Sequence, residues 1–507
     1  MRICLATADL DTGFTPLALM YLKAYLVDRC GHPFDDIAVR QFDYFASAEA
    51  IAAEILDCHP DIVGLSCYVW NVTTLMAATR LVKQQRPDVR IVIGGPEVGP
   101  IASDVLTRHP DVDIVVKSEG ELPFAAIVAA IRDGHDLGVV PGVVFRHGAV
   151  LRDTGEAPIL QDLNQLPSPH TERYADEMGG ASAFVCIETQ RGCVFRCAFC
   201  FYNKDLSIRN RRFDLDRVKG EILFWLERGV RLIYLMDPVF NLNAKRAKEI
   251  CRFLAAHKRP DVQVHAEIWA EFVDDEIAGL MRDANFVVLE VGLQTTDGAT
   301  LASVDRRLRL EAFVAGLGHL KRHGLTSQVQ LIHGLPNESP ESFRRSLNFA
   351  ASLDPAELAV FPLMVLPGTE LWRKAEALKL DFDPEPPYLL RSHPTMSAKD
   401  VAHGRAIARA VALFRSSKVA RLLGREPGLT FADIIDAWID WWAANRADRS
   451  LPTGADVHLF VDELCATRQI PAAVYSALAR LEYAAPPLDG ADQPAPETSI
   501  PMWTVES

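Results

Sequence analysis

The stretch RGCVFRCAFCFYNK, from Arg191 to Lys204, places Cys193, Cys197 and Cys200 at spacings of four and three, with no fourth cysteine close behind. Deprotonated sulfur donates strongly to iron and zinc, so three thiols this close point to a metal centre. Structural zinc normally takes four protein ligands, usually as two cysteine pairs, and no second C-x-x-C follows. Ferredoxin-type runs supply four cysteines at tighter spacing. Three ligands suit a [4Fe-4S] cluster with one iron open to a further ligand. Zinc with Cys186 as a fourth donor, or a chance grouping of core cysteines, are the alternatives.

The triplet follows the strand candidate AFVCIETQ (183–190). Five more such runs lie downstream: LIYLMD (232–237), QVHAEIW (263–269), VVLEVGLQ (287–294), QVQLIHGLP (328–336) and LAVFPLMVL (358–366). Helical patterns separate them, such as 214–229, 243–258 and 311–324. Alternation of this kind predicts a partial (β/α)6 barrel over residues 180–395, with its chemistry at the carboxyl ends of the strands. The cysteines sit in the loop after the first of those strands.

This C-x-x-x-C-x-x-C, with Phe199 just before the last cysteine, resembles the signature of the radical S-adenosyl-L-methionine (radical SAM) superfamily. The resemblance implies that Cys193, Cys197 and Cys200 hold the cluster and that its open iron chelates S-adenosyl-L-methionine. One electron then splits a carbon–sulfur bond to give a 5′-deoxyadenosyl radical. It further implies Phe199 as an adenine contact, and Met236 and Asp237 of YLMDPVFN as candidates for the amino group, although the usual Gly-Gly-Glu wording is absent. Glu267, Glu290 and Gln294 stand where strands often face ribose or carboxylate; internal salt bridges are the other reading. LIHGLP and VLPGTEL carry glycines that let the backbone approach adenine, or that simply make tight turns.

Residues 1–138 show a second α/β alternation, with strand candidates at 2–7, 37–42, 61–67, 90–95 and 113–119. Runs this apolar are buried on both faces, which predicts a doubly wound, Rossmann-like parallel sheet with ligands beyond its carboxyl edge. Placed before such a barrel, it resembles the cobalamin-binding module of the class B radical SAM enzymes. The resemblance implies cobalamin near Leu10, Thr12 and Gly13, near Ser66, Tyr68 and Trp70, near Gly94 and Gly95, and near Glu119 and Gly120. The motif Asp-x-His-x-x-Gly is missing, and the first histidine is His32, so this loop offers cobalt no imidazole. Tyr68, Trp70 or Asn71 are then candidates to approach its lower face. A wound fold for another nucleotide or a flavin is the alternative.

Residues 139–179 read as a hairpin (142–155) and a proline-bearing connector. Residues 396–507 are mainly helical, and the last ~20, rich in Pro, Asp, Glu and Ala, are expected to be disordered. Trp438, Trp441 and Trp442 lie at helical spacing, as in a core or a cap over a hydrophobic substrate. Fifty-three basic against 67 acidic residues give a net charge of −14 over 507 residues, which argues against nucleic acid. The one dense basic run is RNRRF (209–213). No signal peptide and no apolar run of ~20 residues is evident, so a cytoplasmic protein without membrane contact is expected. The resemblance implies methylation of an unactivated carbon in a small-molecule substrate, with an external electron donor such as flavodoxin or ferredoxin. A non-methylating rearrangement, cyclisation or ring contraction is the alternative.

Overall fold

The computed structural model describes residues 1–10, 13, 15–178, 184–203, 210–445 and 452–483. Thr12, Arg209 and the proline-rich tail lie outside the described residues.

The N-terminal sheet is built from β1 (Ile3–Asp9), α1 (Leu17–Asp28), β2 (Ile37–Asp43), α2 (Ala48–Asp57), β3 (Ile62–Ser66), α3 (Val72–Gln85), β4 (Arg90–Gly94), α4 (Ala102–Arg108), β5 (Ile114–Val116) and α5 (Glu121–Asp133). The strands run parallel in the order β2-β1-β3-β4-β5, a doubly wound arrangement. Core clusters lie on both faces, which explains why β1 reads ICLATA without polar alternation. The expected hairpin forms as β6 (Val143–His147) and β7 (Val150–Asp153). Here the structure corrects the border set at residue 138: β6 pairs antiparallel with β5, so the hairpin extends this sheet to Asp153. Val143 to Phe145 are buried between β5 and β7, with Val143 and Phe145 in one core and Val144 in the other.

The second sheet begins at β8 (Phe184–Ile187). A short antiparallel ribbon of β9 (Gln190–Arg191) and β10 (Arg211–Arg212) then flanks the cysteine loop. The alternation continues through α6 (Leu215–Glu227), β11 (Leu232–Leu235), α7 (Ala244–His257), β12 (Gln263–Ile268), α8 (Asp275–Asp283) and β13 (Phe286–Gln294). It closes with α9 (Gly298–Ser303), α10 (Leu310–Arg322), β14 (Ser327–His333), α11 (Pro340–Ser352), β15 (Glu357–Pro362) and α12 (Glu370–Lys374). Six parallel strands in the order β8-β11-β12-β13-β14-β15 form the partial barrel. Its strands alternate. Val264, Ala266 and Ile268 of β12 are buried in the apolar core, whereas His265 and Glu267, between them, are half-buried. Register continues that polar row from Glu267 to Glu290 and on to Gln328 and Glu357. One face of the sheet is thus reserved for polar chemistry.

The two sheets share α1. Leu19, Leu26 and Val27 belong to the first core, while Met20, Tyr21 and Ala24 belong to the barrel core. That is why LALMYL is apolar around the whole helix. Burying side chains of this size stabilises by about 1.5–3 kcal/mol each, enough to hold the sheets as one body. Beyond a ribbon of β16 (Asp381–Phe382) and β17 (Leu390–Ser392), the chain continues as α13 (Ala398–Leu413), α14 (Lys418–Leu423), α15 (Phe431–Asn445), α16 (Gly454–Arg468) and α17 (Ala472–Tyr483). Trp438 is 3% exposed and packs edge-on against Phe414 and Phe460, so it is core to these helices. No helix among the described residues is long and apolar enough to cross a membrane.

Candidate active site at the joint of the two sheets

Two cavities open at the carboxyl ends of the two sheets. The larger, about 330 Å³, is lined by Ser66, Tyr68, Gly94, Gly95, Glu119 and Gly120 from the first sheet and by Gln190, Phe201 and Met236 from the second. The smaller, about 130 Å³, is lined by Cys193, Cys197, Cys200, Phe199, Glu267, Glu290 and Gln294. Tyr202 and Pro238 line both.

The larger cavity exists because the strand ends carry small residues. Gly95 has φ +111°, and a Cβ there would fall 2.4 Å from the Cys67 carbonyl oxygen, so only glycine makes this turn. Tyr68 stacks on Trp70 at a centroid distance of 4.4 Å. Small residues underneath and aromatic walls beside them suit a broad, flat ligand. The structure separates the ten residues expected here. Six line the cavity. Leu10 is 49% exposed and Gly13 is an exposed turn, and neither lines it. Trp70 stands behind Tyr68, its Nε1 donating to the Ala8 carbonyl at 3.2 Å. Among the described residues, the walls come from the ends of β3, β4 and β5 together with Ala18 and Leu22 of α1.

In the smaller cavity, Cys197 is buried and Cys193 and Cys200 are half-buried. Burial, then the neighbouring Cys197 sulfur, pushes the Cys200 thiol up to about 12; burial also raises Cys193. Apolar surroundings alone would therefore keep these thiols protonated. Arg306 sets a cation beside them: its Nη1 donates to the Cys197 sulfur at 3.6 Å, and its charge lowers the Cys193 thiol against that burial. The guanidinium lies 4.5 Å from the Trp269 ring centroid, and Phe195 stacks on that indole at 3.7 Å. Among the described residues no three His, Cys, Asp or Glu side chains gather as one metal ion would need. Cys186, the possible fourth zinc donor, is 1% exposed in β8 and lines neither cavity. Sulfurs spread round a cavity fit a cluster in which each holds a different iron.

The rest of the lining is acidic and amidic. Burial and the adjacent Glu290 push Glu267 up to about 8. Glu290 lies 2.9 Å from His265 Nε2 and accepts from Gln330 Nε2 at 2.7 Å. Gln294 has φ +66° at a register shift between β13 and β14, and its Oε1 is buried without a hydrogen-bond donor. A strained residue holding an unsatisfied acceptor in a cavity is the mark of a ligand contact. Gly292 permits it, since a Cβ there would meet Gln294 Nε2 at 2.3 Å.

Two expected contacts of this cavity are corrected. Met236 lines the larger cavity instead. Asp237 is 1% exposed and lines neither. Its carboxylate accepts from Thr189 N at 2.8 Å, Thr189 Oγ1 at 2.6 Å and Gln190 N at 3.1 Å. Burial raises it to about 7. Asp237 thus ties the exit of β11 to the exit of β8, immediately before the cysteine loop. Sequence reading missed Arg306, Trp269, Phe195 and Tyr202. Phe195, between the first two cysteines, and Tyr202, two residues past Cys200, lie in the motif itself; Trp269 and Arg306 lie far from it along the chain.

Residues 187–350 match the family model described as Radical SAM superfamily, and residues 2–128 match that of the B12 binding domain. The chain is 31% identical over 342 residues to 2-(S-pantetheinyl)-carbapenam-3-carboxylate methyltransferase of Streptantibioticus cattleyicolor, covering 64% of this chain and 49% of that protein. It is 28% identical over 328 residues to the cobalamin-dependent radical SAM methyltransferase TokK of Streptomyces tokunonensis, covering 62% and 48%. The chain thus spans about half the length of these curated relatives. In fold it resembles TsrM of Kitasatospora setae, a radical S-adenosylmethionine methyltransferase solved with cobalamin and a [4Fe-4S] cluster, with a TM-score of 0.61 and 17% identity over 96% of this chain and 100% of that one.

Proposed function

Because the chain belongs to the cobalamin-dependent, class B branch of the radical SAM superfamily, we propose that it is a methyltransferase acting on an unactivated carbon of a small molecule. The observation that carries this reading is the joint: two cavities of different chemistry meet where Tyr202 and Pro238 border both.

The residues present fit three cofactors. Cys193, Cys197 and Cys200 would hold the [4Fe-4S] cluster, and Phe199, Glu267, Glu290 and Gln294 would hold S-adenosyl-L-methionine. Ser66, Tyr68, Gly94, Gly95, Glu119 and Gly120 would hold cobalamin. When bound, cluster and S-adenosyl-L-methionine supply one-electron hydrogen abstraction, and cobalamin supplies the methyl group. The chain's own part is placement and shielding. Arg306 sets a positive charge against the Cys197 sulfur, and the Phe195–Trp269 stack walls the cavity with apolar surface that excludes water. Burial, with Glu290 beside it, raises Glu267 to about 8, so near pH 7 it offers a carboxyl proton as a hydrogen-bond donor. Gln294 Oε1 offers an acceptor, and Asp237 fixes where the cysteine loop leaves its strand. A substrate lying between the cavities has Tyr202 against it, within reach of both. Electrons come from an external donor of the flavodoxin or ferredoxin kind.

The test is anaerobic reconstitution with iron, sulfide and hydroxocobalamin, followed by low-potential reductant, S-adenosyl-L-methionine carrying a labelled methyl group, and candidate metabolites. Release of 5′-deoxyadenosine together with a product heavier by one labelled methyl supports the reading. A product formed without the label replaces it with a rearrangement or cyclisation.

A further inference from the structure

Arg191, two residues before Cys193, sits among three carboxylates. Its Nε donates to Glu188 at 2.8 Å, its Nη2 lies 2.7 Å from Glu121 and its Nη1 3.8 Å from Glu119. Behind it, the ring of Tyr21 from α1 lies 5.1 Å from the guanidinium carbon. Across the β9–β10 ribbon Arg191 is paired directly with Arg211. Two like charges placed opposite each other repel. Glu119 offsets this by touching both: Arg211 Nη1 donates to it at 2.9 Å and also reaches the Leu160 carbonyl at 2.7 Å. Arg191, Glu121 and Arg211 are all buried or nearly so, at 13%, 8% and 6% side-chain exposure, where such contacts are little screened.

The members of this network belong to different sheets. Glu119 follows β5, and Glu121 opens α5, where a carboxylate also meets the positive end of the helix. Both line the larger cavity. Glu188 and Arg191 flank the exit of β8 that leads into the cysteines. One guanidinium fork therefore grips, at once, the rim of the larger cavity and the root of the loop that forms the smaller one. We infer that Arg191 is a positioning residue: it locks the cysteine loop to the strand end and helix start bordering the larger cavity, so that the two cavities keep one relative placement.

This inference rests on the proposed function, and its test uses two readings. The first is hydrogen exchange of the cofactor-free chain. Arg191→Gln is expected to make amides in 117–124 and 188–192 exchange about tenfold faster while the cores of β3 and β13 stay protected. The second is the electron paramagnetic resonance of protein holding both cob(II)alamin and the reduced cluster. A fixed separation gives a defined dipolar broadening, and Arg191→Gln is expected to blur it in the doubly loaded fraction. Arg191→Lys keeps the charge but grips one carboxylate at a time, so it is expected to fall between. Glu121→Gln should give the same two changes, and the double variant no more than either alone; should Arg191→Gln not fold, Glu121→Gln carries the test. Unchanged exchange and unchanged broadening in these variants overturn the inference. Wild-type protein that takes up neither cofactor overturns the proposed function instead, and the exchange result then decides the clamp by itself.

Discussion

The guanidinium of Arg306 stands between the sulfur of Cys197, 3.6 Å from Nη1, and the indole face of Trp269, 4.5 Å from its carbon. Arg306 is 8% exposed, and its Nη2 also donates to the Gly292 carbonyl. A buried cation held on three sides is a fixed piece of electrostatics for the thiols around it. Arg306→Gln keeps a donor but removes the charge. A hydrogen bond to a charged group is worth about 1.5–3 kcal/mol, so 5′-deoxyadenosine release is expected to slow by about 10- to 100-fold. Rapid-quench measurement checks this, with iron and sulfide content assayed alongside; an unchanged rate at equal cluster content refutes it.

Each single change of Cys193, Cys197 or Cys200 to Ala is expected to abolish the sulfide-bearing cluster. The thermal midpoint of the cofactor-free chain should shift little, since these thiols line a cavity and only Cys197 is buried. Iron and sulfide assays with differential scanning calorimetry separate the two effects. A variant that keeps full sulfide removes that cysteine from the ligand set.

Gly95→Ala tests the larger cavity. Its positive φ and the 2.4 Å approach to Cys67 leave no room for a methyl group. A cost of about 1–3 kcal/mol in stability is expected from the strained backbone, with loss of hydroxocobalamin uptake. Chemical unfolding and visible absorbance after desalting provide the two numbers. Uptake equal to wild type would place the corrin elsewhere.

Stability should fall with rising pH in a defined window. Glu338 is 0% exposed; its Oε2 accepts from Gly334 N at 2.8 Å while Oε1 has no hydrogen bond, and burial raises it from 4.5 to about 8. Glu267 is raised to about 8 as well. A carboxyl whose folded pKa is raised contributes stability that is fully present below the unfolded value and is lost as pH climbs through the folded one. The thermal midpoint of the cofactor-free protein should therefore drop between about pH 5 and about pH 9. Glu338→Gln and Glu267→Gln should each flatten part of that slope, because an amide has no proton to lose. Parallel melting curves for wild type and both variants across the window contradict the assignment.

Tyr202 borders both cavities, so its removal should affect coupling more than cofactor binding. Tyr202→Ala is expected to raise 5′-deoxyadenosine formed per product, with cluster and cobalamin content retained. Chromatographic counting of both species decides it.

Period-two and period-three-to-four patterns were enough to set two α/β units and six barrel strands in the right order, and one cysteine triplet singled out three thiols that line a common cavity. These are short-range signals: a strand buried on both faces must be apolar throughout, and three thiols in one loop need no distant partner. That Phe199, Glu267, Glu290 and Gln294 line the same cavity was legible too, since each lies in the triplet or on a barrel strand. The sequence could not show that Asp237 spends its carboxylate on Thr189 and Gln190, that β6 extends the first sheet, or that Leu10 turns away from the larger cavity. Nor could it show that Arg306, more than a hundred residues from Cys197, would reach its sulfur. Such contacts are fixed only when α1 joins the two cores and the strand ends converge. A charge's partner is chosen by folded distance and burial, and neither is written in the spacing of residues along the chain.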